Sequence, residues 1–124
     1  MRILAGPGFA ETMMLYGELL SRNNSGQVTA DEIVQLDFVN SGSVSMLRMT
    51  HVTSKRAVWI KPRQDTFSIW FGKEPRQGPH SHLPNPEVDP GVSENFSLKT
   101  IRVAEEYLFN GNLPPNAIKG RLAQ

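Results

Sequence analysis

Between residues 33 and 71 apolar side chains recur at every second position, interrupted by three short polar turns, a pattern that suits a pleated sheet and no helix. Val34, Leu36 and Phe38 alternate with Gln35 and Asp37 up to the turn at Asn40–Ser41–Gly42–Ser43. Residues 44–52 continue the sheet. Thr53–Arg56 reads as a second turn, residues 57–61 as a third strand, Pro62–Asp65 as a third turn and Thr66–Phe71 as a fourth strand. Connections this short join antiparallel neighbours, so the centre of the chain reads as a meander. Alternation puts Val58, Ile60, Phe67, Ile69 and Phe71 on one face with Leu47 and Met49. It puts Trp59, Lys61, Ser68 and Trp70 on the other with Met46 and Arg48.

Helical spacing appears on both sides of this block. Phe9, Met13, Tyr16 and Leu20, widened by Leu15 and Leu19, predict a helix over residues 8–21. Gly17 weakens that helix by about 1 kcal/mol relative to alanine and suggests close packing against a neighbour. Leu98, Ile101, Ala104, Tyr107 and Leu108 predict a second helix, with Asn95 or Ser97 as N-cap and Gly111 just past its end. Pro114–Pro115 stops it, and Asn116 is placed to cap a short helical turn through Ala117–Leu122. In residues 72–95, eight of twenty-four residues are proline or glycine, which argues against a helix or a central strand. That stretch reads as an arm that reaches across a neighbouring subunit or folds over a groove as a cover. The expectation is one α+β domain over residues 1–124: an antiparallel sheet of about four strands flanked by an N-terminal and a C-terminal helix, with a Pro/Gly-rich arm at 72–95.

A chain of 124 residues without cysteine can bury a core but cannot use disulfides, thiolate chemistry or cysteine-ligated zinc. Ile3–Leu4–Ala5 is too short for the apolar core of a signal peptide, and no run approaches the ~18 apolar residues of a membrane span. The reading is a soluble chain, not secreted and not membrane-bound. Net charge is +1, yet residues 48–76 hold Arg48, Lys55, Arg56, Lys61, Arg63, Lys73 and Arg76 against only Asp65 and Glu74. Residues 1–40 and 77–110 are each acidic, at −3. Such a division suits a positive face for a polyanion or acidic partner, or head-to-face self-association into a homodimer. The same charges can equally disperse around the surface once the chain folds.

The candidate binding residues are Arg48, Lys55, Arg56, Trp59, Lys61, Arg63 and Trp70. Tryptophans on an open sheet can stack unpaired bases while nearby cations hold phosphates. Burial beneath the second helix or in a subunit contact is the competing reading. Catalytic chemistry is sparse. His80–Ser81–His82, with Glu87 and Asp89 downstream and His51 on a strand, suits either a nitrogen- and oxygen-rich metal site or an acid–base pair for phosphodiester cleavage assisted by Lys55 or Lys61. Neither spacing is diagnostic, and solvent-exposed loop histidines are the simpler account. Nucleophile-elbow, HExxH and EF-hand patterns are absent, so no catalytic residue, metal or cofactor is assigned. Met13, Met14, Met46 and Met49 read as adaptable core filler.

The chain as a whole, with segments such as WIKPRQDTFSIWFGKEPRQ (Trp59–Gln77), resembles the small assembly and RNA-packaging cofactors in the polymerase complex of cystoviruses, the segmented double-stranded-RNA bacteriophages. The resemblance implies a homodimeric α/β core and a minor virion component, located in the virion interior or the host cytoplasm. It also implies contacts with capsid and polymerase-type proteins, a non-enzymatic role and contact with RNA. It transfers no functional residue. The resulting expectation is a non-enzymatic interaction and assembly module, with protein partners first and RNA second. The alternative is a small histidine-dependent phosphodiesterase or metal-binding enzyme using the His80/His82 loop.

Overall fold

Period-two patterning in residues 33–71 becomes four consecutive strands, and the sheet extends beyond them on both sides. The computed structural model describes residues 2–6, 8–23, 32–41, 44–63, 66–78, 81–94 and 100–119. In chain order the elements are β1 (Arg2–Ala5), α1 (Phe9–Asn23), β2 (Ile33–Ser41), β3 (Val44–His51), β4 (Arg56–Pro62), β5 (Phe67–Lys73), β6 (Pro90–Glu94), α2 (Thr100–Asn110) and β7 (Ile118–Lys119). One seven-stranded sheet runs in sequence order from β1 to β7. Its pairings are antiparallel except that β1 lies parallel to β2, joined through α1.

This corrects the expected sheet of about four strands flanked by terminal helices. β1 precedes the first helix, β6 lies inside the 72–95 arm, and β7 follows the second helix where a helical turn was expected. β1 and β7, at four and two residues, are too short for alternation to register. β6 opens on Pro90, the first residue of the strand, where proline is tolerated; it has no partner in β5 and is in register with Lys119 of β7.

Both helices cover the same face. Leu36, Leu47, Met49, Val58, Ile69 and Phe71 pack there with Tyr16 and Leu19 of α1 and Ile101, Ala104 and Leu108 of α2. Met46 and Met49 are buried as expected, whereas Met13 and Met14 are exposed on the outside of α1. The packing inferred from Gly17 is also absent: a Cβ built there meets nothing within 4 Å among the described residues. α2 ends as its sequence indicates, with Gly111 at φ 76° and its amide donating to Tyr107 O at 2.8 Å. Arg56 then holds the helix end, its Nε and Nη2 donating to Leu108 O and Phe109 O at 3.0 Å each. A cation there satisfies orphan carbonyls and faces the negative end of the helix dipole. The N-cap candidates Asn95 and Ser97 lie outside the described residues. None of the described helices is long and apolar enough to cross a membrane.

Both tyrosines of the chain sit at helix–sheet contacts. Tyr16 is pushed from 10.0 to about 12, first by burial and then by the nearby Glu105. Tyr107, whose hydroxyl donates to Gly72 O at 2.8 Å, is raised chiefly by burial. Above pH ~10 the unfolded chain therefore releases protons that the native state retains, so stability is full below that pH and falls as pH climbs toward 12. In an alkaline titration, tyrosinate absorbance is expected to rise together with loss of structure, not as a separate step near pH 10. Tyr16→Phe should lessen the alkaline loss. Free ionisation of both phenols in the folded protein would contradict this account.

Candidate functional site

Strand register turns the alternation into a cross-sheet row. Asp37 lies opposite Arg48, Arg48 opposite Trp59, Trp59 opposite Trp70 and Trp70 opposite Gly91. Both indoles and Arg48 therefore share the face turned away from the helices, as pleating dictates. That face is not open: Trp59 is 0% and Trp70 4% exposed. α2 packs on the other face and does not cover them. The chain's own 72–95 arm does.

The arm is held at several points. Trp59 Nε1 donates to His82 O at 3.0 Å, and Leu83 packs on the cluster of Val39, Met46, Ala57 and the two indoles. The Arg76 guanidinium lies 4.2 Å over the Trp59 ring centroid and pairs with Asp89 at 2.7 Å. Asp89 in turn accepts the amide of Asn85 at 2.8 Å, closing the turn that ends at β6. Gly72 makes room for all of this. A Cβ at that position would collide with the Arg76 guanidinium and Asp89 and lie 3.1 Å from Trp59. Closure is not fully satisfied, because Trp70 Nε1 and Arg76 Nε are buried without an acceptor among the described residues. Each such donor costs about 1–3 kcal/mol. The arm also encloses an open cavity of about 630 Å³ bordered by Arg76, Leu83, Pro84, Asn85 and Val88.

The remaining candidate cations are divided between internal struts and surface positions. Arg48 holds Asp37 through Nε and Nη2 at 3.3 and 3.2 Å and Glu74 through Nη1 at 3.2 Å. Arg56 is committed to the α2 carbonyls. Arg63 Nε donates to Ser68 Oγ at 2.7 Å. Lys55 stands exposed on the β3–β4 turn at φ 68°, its carbonyl accepting the Glu74 amide, and Lys61 is half-buried on the tryptophan face beside Trp59. The seven sequence candidates thus do not converge on one accessible surface. The indole faces are covered, and three of the four arginines of the segment hold carboxylates or helix carbonyls.

The histidines are not gathered either. His51 is buried on the helix face, with Nε2 2.7 Å from Glu32 Oε2, Nδ1 2.6 Å from Ser54 Oγ, and its ring edge-on to Phe109 at 5.4 Å. His82 lies on the opposite side, in the arm, and His80 falls outside the described residues. Asp89 serves Arg76, and Glu87 is exposed. Among the described residues no group of three or more histidine, aspartate or glutamate side chains is placed to hold a metal.

One feature that the sequence reading passed over stands out. Of the eight large apolar side chains exposed among the described residues, five fall in β1 and the first half of α1: Ile3, Leu4, Phe9, Met13 and Met14. Met14 is 74% exposed, Phe9 60% and Leu4 49%. The helical period in residues 8–21 was legible, but the apolar residues on its outer side read as core because methionine is a common core filler. No protein-family model, curated protein or solved structure matches the chain.

Gly72→Ala is expected to displace the Arg76–Asp89 pair from Trp59 and lose roughly 1–3 kcal/mol, as overpacked sites do. Urea unfolding and the tryptophan emission maximum read this directly, the emission moving to longer wavelength as the arm lifts. An unchanged midpoint and maximum would count against the arm as the cover. In the native protein, single-stranded RNA should leave tryptophan emission unaltered, and quenching that salt relieves would place bases on the indoles.

Proposed function

We propose that the protein is a non-enzymatic interaction module whose docking end is β1 together with the outer side of α1. The observation that carries this reading is the concentration of exposed apolar side chains at that end, Ile3 through Met14. Several large apolar side chains left exposed at one end of a folded domain are what a macromolecular docking site would use. The tryptophan face supports the same reading from behind, since its aromatic and arginine groups stiffen the sheet that carries the docking end. Protein is therefore the first class of partner. RNA, the second, is left chiefly with the lysines at 55, 61 and 73. A role in building a viral core, against capsid or polymerase-type proteins, is the finer form of this proposal and rests only on the resemblance of the chain as a whole, with segments such as Trp59–Gln77.

Phe9→Glu combined with Met14→Glu changes only exposed positions, so circular dichroism should be unaltered and stability should stay within about 0.5 kcal/mol per substitution. Sedimentation velocity, on the purified protein and on the protein mixed into clarified extract of its source cells, is expected to show wild type heavier than the single chain in at least one condition. The double variant should sediment as the single chain in both. A wild-type protein that remains a lone monomer throughout would overturn the proposal.

A further inference from the structure

The cavity under the 72–95 arm lies on the tryptophan side of the sheet, opposite the helices. At about 630 Å³ it falls within the ~300–1,000 Å³ of ligand sites. It is open, however, and so does not enclose the ~70–90% of a small molecule's surface that such sites bury; a peptide that keeps one side in water suits it better. One wall is the turn that precedes β6. Val88 N and Asp89 N both donate to Asn85 O, at 3.0 and 2.7 Å, Glu87 N donates to Asn85 Oδ1 at 3.1 Å, and Asn85 N donates to Asp89 Oδ2 at 2.8 Å. Pro84 and Pro86 have no amide hydrogen to give. From residue 84 to residue 89 the wall therefore offers no spare backbone N–H, which removes the usual means of gripping an anion. Charge points the same way. Arg76 lies over Trp59, is 2.7 Å from Asp89 and has a side chain only 16% exposed, so its charge is already answered. The exposed Glu87 carboxylate is not, among the described residues. The rest of the wall is apolar, with Leu83, Pro84, Pro86 and Val88, the last 59% exposed.

We infer that this cavity is a second docking site, and that it receives a peptide segment in which a lysine or arginine lies next to a large apolar residue. The basic head meets Glu87, while its methylene stem and the apolar neighbour pack on Leu83, Pro84, Pro86 and Val88. Acidic segments are rejected both by Glu87 and by the lack of amide donors. Four hydrogen bonds inside the turn and two prolines fix this wall before the peptide arrives, which lowers the ordering cost of binding. Arg76 anchors the site to the sheet, since the guanidinium that borders the cavity is held at the same time by Trp59 and Asp89. The cavity shares no residue with the apolar end formed by β1 and α1, so either can fail without the other.

The probe is the peptide acetyl-Lys-Leu-Lys-amide, titrated into the isotope-labelled full chain and followed by heteronuclear NMR, with acetyl-Glu-Leu-Glu-amide as the charge-reversed control. Saturable shifts are expected at the Leu83 and Val88 methyl groups and the Glu87 amide by ~10 mM basic peptide, with the acidic peptide at least about tenfold weaker. Glu87→Gln should weaken the basic peptide about two- to fivefold, as loss of an exposed ion pair does, and Val88→Ser at least about threefold. Both positions are exposed, so circular dichroism should not change. Phe9→Glu combined with Met14→Glu should leave the affinity unaltered. Absence of saturation, an equal response to the two peptides, shifts spread over acidic residues elsewhere such as Glu11 and Glu106, or indifference to both Glu87→Gln and Val88→Ser would each overturn the assignment. Any of these results leaves the docking end at β1 and α1 standing, because sedimentation of the Phe9→Glu, Met14→Glu variant tests that reading separately.

Discussion

Burial of β4 and β5 on both faces is the constraint on which the rest of the structure depends. The helices take one face, but Trp59 and Trp70 occupy the other, and two indoles of that size cannot be left facing water without a large loss of stability. The 72–95 arm answers this by laying Leu83 and the Arg76–Asp89 pair over the rings. Its returning leg becomes β6, and β7 adds beyond that. Cover and sheet extension are therefore the same event, and both rely on the missing side chain at Gly72.

The basic segment shows why charge in sequence is not charge on a surface. Arg48, Arg56 and Arg76 each present several donors in one plane, and each is turned to a carboxylate or a pair of carbonyls within the chain. Lys55 stays exposed on the β3–β4 turn and Lys73 at the exposed end of β5. The guanidinium fork suits a fixed strut, whereas an ammonium on a flexible stem is more strongly hydrated and stays in water. A stretch that is +5 by composition thus yields a much weaker accessible field, and its aromatic members are enclosed as well.

The two faces of the central meander were legible because β2 to β5 are long enough for alternation to separate Val58, Ile60 and Ile69 from Trp59 and Trp70. The end of α2 was legible through Gly111. β1 and β7 were not, since so few residues establish no period and their pairing partners are distant in the chain. β6 hid behind proline and glycine, which composition treats as breakers although Pro90 stands only at the strand's first position. The outer side of α1 was misread for another reason. Met13, Met14 and Gly17 carry nothing in their chemistry that separates core from surface, and only packing decides. The proposed binding residues showed the complementary difficulty, because alternation assigned Arg48, Trp59, Lys61 and Trp70 to one side of the sheet without revealing the segment that folds across it.

The parallel pairing of β1 with β2 also ties the edge of the sheet to the state of the chain. β2 to β5 can zip together through contacts between close neighbours, whereas β1 must find a strand about thirty residues away after α1 has docked, and such long-range closure comes late in assembly. The exposed edge therefore exists only in molecules whose interior is already complete. Before β1 docks, the longer strand β2 is the open edge instead, so completion of the fold trades a nine-residue edge for one of four.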